Sequence, residues 1–202
     1  MLLPITTALL EESEPLMNHP FSQGELKRCL AGLKNTANGH DHVHNLMLKN
    51  LNEKYALWLL EIVNYSFMNA FVPQEWKKAV IIPLLKPHKT PTDPKSYRPI
   101  SLLPCVAKLV EKLINTRMYH FLESNRAFSR TQFGFRKKLS SSDHIIRLEN
   151  LIRKTLLDRE ICIVVFFDLE SAYDCIWHTG LLYKLVKKGI KGKISSNFYK
   201  FI

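Results

Sequence analysis

Seven consecutive apolar residues, Ile161–Phe167 (ICIVVFF), run directly into a carboxylate, Asp168. Seven β-rich residues without polar alternation predict a strand buried on both faces, and so a sheet covered on two sides. An acid where such a strand meets its turn is held at the rim of the sheet. There it can bind a divalent cation, with the backbone carbonyl of Leu169 as a second oxygen ligand. It can equally cap a following helix, or serve as the second acidic motif of a P-loop nucleotidase. The 202 residues hold neither G-x-x-x-x-G-K-[ST] nor G-x-G-x-x-G, which argues against both nucleotide-binding folds that those motifs mark. No longer uninterrupted apolar run exists, so no helix of ~20 apolar residues is available to span a membrane.

Elsewhere helical spacing dominates. Ser22-Gln23-Gly24-Glu25 fits a capping box and predicts a short helix to about Lys34. Residues 35–45 read as a loop, and 46–71 as helix interrupted near Asn52. Trp76–Lys86 predicts a strand in which Pro83 marks an edge or bulge. From Val106 the positions Leu109, Val110, Leu113 and Ile114 predict an amphipathic helix to about Ser124. Ser142 is a candidate cap for another helix, with Ile145, Leu148, Ile152 and Leu156 on one stripe. A last helix is expected over 178–188, ended by Gly189. Residues 1–20 read as a tail or linker. The class is α+β, rich in helix and poor in strand.

Charge is unevenly placed. Residues 1–75 carry a net −3, whereas 76–202 hold 24 basic and 10 acidic groups, a net +14. A field of that sign attracts polyanions, nucleic acid being the commonest large one, although a solvated basic surface would look the same. Lys187-Lys188 with Lys191 and Lys193 admits both readings, as a nuclear-import or nucleic-acid contact or as a solvated helix end. The cysteines, Cys29, Cys105, Cys162 and Cys175, form no C-x-x-C pair and read as reduced thiols of an intracellular protein. The N-terminal MLLPITTALLEESE lacks a basic n-region, so no secretion signal is expected. His40, His42 and His44 could bind zinc but lack the wider pattern of a metallohydrolase. Trp58, Trp76 and Trp177 are expected in the core rather than as stacking platforms.

Asp168–Tyr183 (DLESAYDCIWHTGLLY) resembles the first catalytic motif of non-LTR retrotransposon reverse transcriptases of the LINE type, jockey-like branch. Upstream segments agree in order: Val72-Pro73 with Trp76, Lys77 and Ala79, then Lys86-Pro87; Tyr97-Arg98-Pro99-Ile100-Ser101-Leu102-Leu103; Lys108–Ile114 with Arg117; and Gln132-Phe133-Gly134-Phe135-Arg136 with 140–143. The likeness extends from about Phe21 to the last residue. It implies a reverse-transcriptase fingers region over about 21–155 and the start of a palm over about 156–202. The palm would be a split βαβ-like sheet with packed helices, truncated before the family's Tyr-x-Asp-Asp hairpin.

The resemblance also implies roles. Asp168 would be the catalytic, metal-binding aspartate, and Leu169 would lend its carbonyl to Mg²⁺. Tyr173, with Ala172, would line the nucleotide pocket and select against a ribose 2′-hydroxyl. Lys86 and Arg98 would contact the incoming triphosphate, a task suited to the fork of a guanidinium. Gln132, Arg136, Lys137 and Lys138 would lie along the template and primer. Asp174 would be structural. The cofactor would be two Mg²⁺ ions in the intact family, and at most one partial site here. Partners would be an RNA template, a DNA primer and deoxynucleoside triphosphates, with no membrane, in the cytoplasm and nucleus.

Two departures qualify this. The family's Ala-Pro-Gly-Pro-Asp-Gly-Ile loop reads Ala37-Asn38-Gly39-His40-Asp41-His42-Val43, without the prolines. No acid follows Asp174, so the other two catalytic aspartates are missing and no polymerase activity is expected from these residues alone. The endonuclease that precedes the polymerase in such elements is not expected among these residues either. Two alternatives therefore accompany the polymerase reading: a non-catalytic nucleic-acid-binding remnant, and a pseudogene product without stable activity.

Overall fold

The computed structural model describes residues 15–201. The expectation of a tail over 1–20 thus lies partly outside the described residues; within them, Pro15–Asn18 is a helical turn (α1) and Met17 is buried. There follow α2 (Gln23–Ala31), α3 (Asn45–Lys49), α4 (Glu53–Met68), α5 (Gln74–Lys77), β1 (Val80–Leu85), a 3₁₀ turn (Pro94–Ser96) and β2 (Tyr97–Leu102). The long α6 (Cys105–Ser124), α7 (Ser141–Leu157), α8 (His178–Lys187) and α9 (Lys193–Phe201) complete the order. The chain divides into two compact units, one of Met1–Phe121 with His178–Ile202 and one of Leu122–Trp177.

The first unit contains every buried apolar side chain among the described residues. Ser22 and Glu25 form the expected capping box, each side chain bonding the other's backbone N–H, which starts α2 and turns Leu26, Cys29 and Leu30 inward. Asn52 caps α4 and explains the break in the periodicity, since its side chain accepts from the Tyr55 N–H. Val63 and Phe67 of α4 and Leu109 and Val110 of α6 are fully buried. Burying each such side chain stabilises the fold by about 1.5–3 kcal/mol. Gly189 ends α8 at φ +90°, a conformation that favours glycine. Beyond it α9, absent from the sequence expectations, packs on α1, α4 and α8. Asn18 Oδ1 accepts from the Ile194 N–H, and buried Asn197 donates to the Phe67 carbonyl, tying α9 to α1 and α4.

β1 and β2 pair antiparallel in a two-stranded ribbon, Pro83 opposite Pro99. Both strands are edges, as Pro83 implied. All of β1 is exposed.

In the second unit α7 is capped two residues before the expected Ser142. Its cap is Ser140, in a capping box with Asp143. Of the expected stripe of α7, Ile145 and Leu156 are exposed and Leu148 and Ile152 half-buried, so none of it joins a core among the described residues. The main correction concerns 161–167. No strand forms there, and Ile161, Ile163, Phe166 and Phe167 are all more than 80% exposed. A strand is defined by its neighbours, and none of the described residues offers a ladder to this segment. The two-face-covered sheet is therefore not formed among them, and β1–β2 is their one sheet. Trp58 and Trp177 are also exposed rather than in the core, and Trp76 is half-buried.

Candidate nucleotide and nucleic-acid site

Lys86 and Arg98 belong to the turn end of the ribbon. The Lys86 N–H donates to the Ser96 carbonyl at 2.8 Å, extending the ladder one pair beyond Leu85 opposite Tyr97. Alternation carried one residue past Leu85 puts Lys86 on the face of Leu84, and Arg98 stands opposite Leu84. Lys86 and Arg98 are therefore diagonal neighbours on one face, within reach of a common ligand. Lys86 Nζ donates to the Lys95 carbonyl at 2.8 Å, and Arg98 is exposed. The tip that separates them is built locally: Asp93 accepts from the Lys95 N–H, and the Tyr97 hydroxyl donates to the Pro91 carbonyl.

The loop 126–140 of the second unit holds Gln132, Arg136, Lys137 and Lys138. Arg136 is its organiser: Nε and Nη2 fork onto the two carboxylate oxygens of Glu123 at 2.9 and 2.8 Å. Its Nη1 donates to the carbonyls of Ser129 and Gln132, and its guanidinium lies over the Phe128 ring. Phe135 and Lys138 take positive φ, +61° and +65°, so the chain reverses on either side of Arg136. Arg136 is thus four-fifths buried in the loop, while Gln132, Lys137 and Lys138 are exposed on its surface. Arg147 and His144 from α7 pack on Phe133, closing the loop against the helix.

Asp168, Leu169, Ala172 and Tyr173 lie on the irregular stretch that replaces the expected strand and its turn, and all four are exposed. Residues 170–175 form successive turns. Among the described residues no group of three or more His, Cys, Asp or Glu is arranged to hold a metal ion. A two-ion site needs several carboxylates converging from different elements, and the residues described here do not fit one.

The histidine cluster divides along separate lines. His40 Nε2 is 3.0 Å from Glu75 Oε2, and His44 caps α3 by accepting from the Leu46 N–H. Hydrogen bonds from Lys78 and then from His40 hold the Glu75 carboxyl below its ordinary range. Sequence reasoning missed the importance of Gly39 in this loop. A Cβ there would stand 2.6 Å from the Pro104 nitrogen and 2.8 Å from the Leu103 carbonyl carbon, so only glycine lets 37–39 lie on the β2–α6 junction. Lys108 Nζ holds the loop down by donating to the Ala37 carbonyl at 2.8 Å. The sequence signal was Gly39 itself, retained where both prolines of the resembled loop are lost.

A family profile described as "Reverse transcriptase (RNA-dependent DNA polymerase)" matches residues 85–202. The "Probable RNA-directed DNA polymerase from transposon BS" of Drosophila melanogaster is 40% identical over 149 residues, covering 74% of this chain and 16% of that protein. The "RNA-directed DNA polymerase from mobile element jockey" of the same fly is 34% identical over 187 residues, covering 88% of this chain and 20% of its own length. The "Probable RNA-directed DNA polymerase from transposon X-element" is 33% identical over 167 residues, 82% of this chain and 18% of that protein. The chain spans about a fifth of the length of these relatives. Among the described residues no helix is long and apolar enough to cross a membrane. The chain belongs to the reverse transcriptase family, in its LINE-type, jockey-like non-LTR retrotransposon branch.

Proposed function

We propose that this chain supplies the nucleotide-facing and template-facing part of an RNA-directed DNA polymerase, with fingers over about 21–155 and the opening of the palm beyond. The observation that supports this most is the diagonal placement of Lys86 and Arg98 on one face of the ribbon, two cations within reach of one triphosphate. Gln132, Lys137 and Lys138, on the loop that Arg136 organises, face the phosphate backbone of an RNA–DNA hybrid. Asp168 supplies one carboxylate, with the Leu169 carbonyl beside it, for a divalent ion whose remaining ligands come from outside the residues described here. Tyr173 and Ala172 border the sugar of the incoming deoxynucleotide. On this reading the 202 residues bind primer–template and need further palm residues to extend it.

The experiment joins this chain to the segment that follows the matched region in the jockey relative and measures primer extension on an RNA template. Asp168→Asn should abolish extension while leaving primer–template affinity within about twofold. Lys86→Ala and Arg98→Ala should each raise KM for deoxynucleotide by about tenfold or more, with a smaller change in kcat. Extension that survives Asp168→Asn would refute the reading. A joined chain that neither binds nor extends would favour the remnant without activity.

A further inference from the structure

We propose that Pro83 and Pro99 seal the two outer edges of the β1–β2 ribbon against strand addition by another chain. The ribbon has every feature that invites such pairing. It has only two strands, β1 is six uncharged residues (VIIPLL), and both Ile81 and Leu84 are more than half exposed. Exposed apolar edge strands of this kind recruit further strands.

The ladder's alternation shows where the edges are blocked. The Lys86 N–H donates to the Ser96 carbonyl, so residue 86 faces the partner strand, while the Ser96 N–H turns away to the Asp93 carbonyl. Bonded and non-bonded pairs alternate along an antiparallel ladder, so Leu84–Arg98, Ile82–Ile100 and Val80–Leu102 bond inward. Ile81–Ser101, Pro83–Pro99 and Leu85–Tyr97 then direct their backbone N–H and C=O groups outward. On β1 the outward donors would be 81, 83 and 85, and on β2 they would be 97, 99 and 101. The two prolines remove the central donor from each edge and place a ring there. Neither removal costs the ribbon a bond of its own, because those nitrogens do not face the partner strand. An incoming strand finds two donors on the β1 edge, about 13 Å apart with a ring between them, and on the β2 edge only the Ser101 N–H, since that of Tyr97 already donates to the Pro94 carbonyl.

The test substitutes Pro83→Ala, Pro99→Ala and both together, and follows self-association by sedimentation velocity over a range of concentrations. Alanine restores the N–H without adding apolar bulk, and no side chain of β1 is buried, so the helical melting of each variant should match that of the wild type. Each single variant opens one edge and should stop at dimers. The double variant opens both and should form open-ended oligomers at concentrations at least tenfold lower than the wild type, with a new intermolecular strand band in the amide-I spectrum. Adding Ile81→Lys to Pro83→Ala should reverse the association by charging the reopened edge. Oligomer distributions unchanged from the wild type, or association that Ile81→Lys leaves intact, would overturn the proposal.

Discussion

Arg117 on α6 grips Glu25 on α2 at two points, Nε to Oε1 at 2.7 Å and Nη2 to Oε2 at 2.9 Å, across 92 residues of sequence. The same guanidinium donates to the carbonyls of Met17, His19 and Pro20 and lies 4.1 Å from the centre of the Phe21 ring. One side chain therefore fastens residues 17–21 and the start of α2 to the long helix that buries seven apolar side chains.

The pair sets an acid limit on stability. Burial alone raises the Glu25 carboxyl, but hydrogen bonds from Arg117 and the Ser22 backbone outweigh it and bring the value down to about 2. A carboxyl depressed in the folded state contributes its full stabilisation above its unfolded value of about 4.3, and loses it as pH falls toward 2. Glu25→Gln should lower unfolding free energy at pH 7 by about 2 kcal/mol and flatten the acid limb between pH 4.5 and 2. Arg117→Ala should cost more, about 3 kcal/mol, since it leaves the Glu25 charge without its guanidinium and only Ser22 bonded to it. Urea unfolding followed by helical circular dichroism at several pH values measures both.

Gly39 and Gly134 offer a matched comparison. A methyl at Gly39 collides with the Leu103–Pro104 backbone, whereas nothing lies within 4 Å of one placed at Gly134. Gly39→Ala should destabilise by about 1–3 kcal/mol, as overpacking against backbone does. Gly134→Ala should stay within about 0.5 kcal/mol of the wild type. Urea midpoints of the two variants decide it.

On the proposed reading, Arg136 would act on nucleic acid through the shape of its loop. Arg136→Lys keeps the charge but cannot fork onto Glu123 while reaching the Ser129 and Gln132 carbonyls. The variant should expose 126–140 to limited proteolysis and weaken primer–template binding by about tenfold, about 1.4 kcal/mol. A residue acting only as a point charge would show neither effect with lysine in its place. Glu123→Gln, which leaves all the cations present, should reproduce the proteolytic sensitivity.

Helix starts were legible because capping is local: Ser22 with Glu25 and Asn52 before α4 declare themselves within four residues. The stripe that α4 buries was not. Its sequence, EKYALWLLEIVNYSFM, is apolar nearly all round, so Leu59–Val63–Phe67 could not be told from the exposed Tyr55–Trp58–Ile62–Tyr65 by period alone. In α9 the inward positions include Ser195 and Asn197, and the burial of polar Asn197 makes sense only once it meets the Phe67 carbonyl. The run 161–167 failed for the opposite reason: its composition asks for burial, but burial of a strand is conferred by neighbours, not by the strand. At the candidate site, motif order pointed to Lys86, Arg98 and Asp168 one by one. That the first two share a face follows from the ladder register, and that Arg136 is held by Glu123 required the fold.

The most direct measurement is equilibrium binding of a labelled RNA–DNA primer–template to the purified chain, by fluorescence anisotropy across a salt series. Binding should weaken steeply with salt, and Lys137→Ala with Lys138→Ala should reduce the log–log slope by about two. Asp168→Asn should leave that slope unchanged. A chain whose affinity is indifferent to salt, or a double lysine variant with the wild-type slope, would contradict the assignment of this loop to the template path.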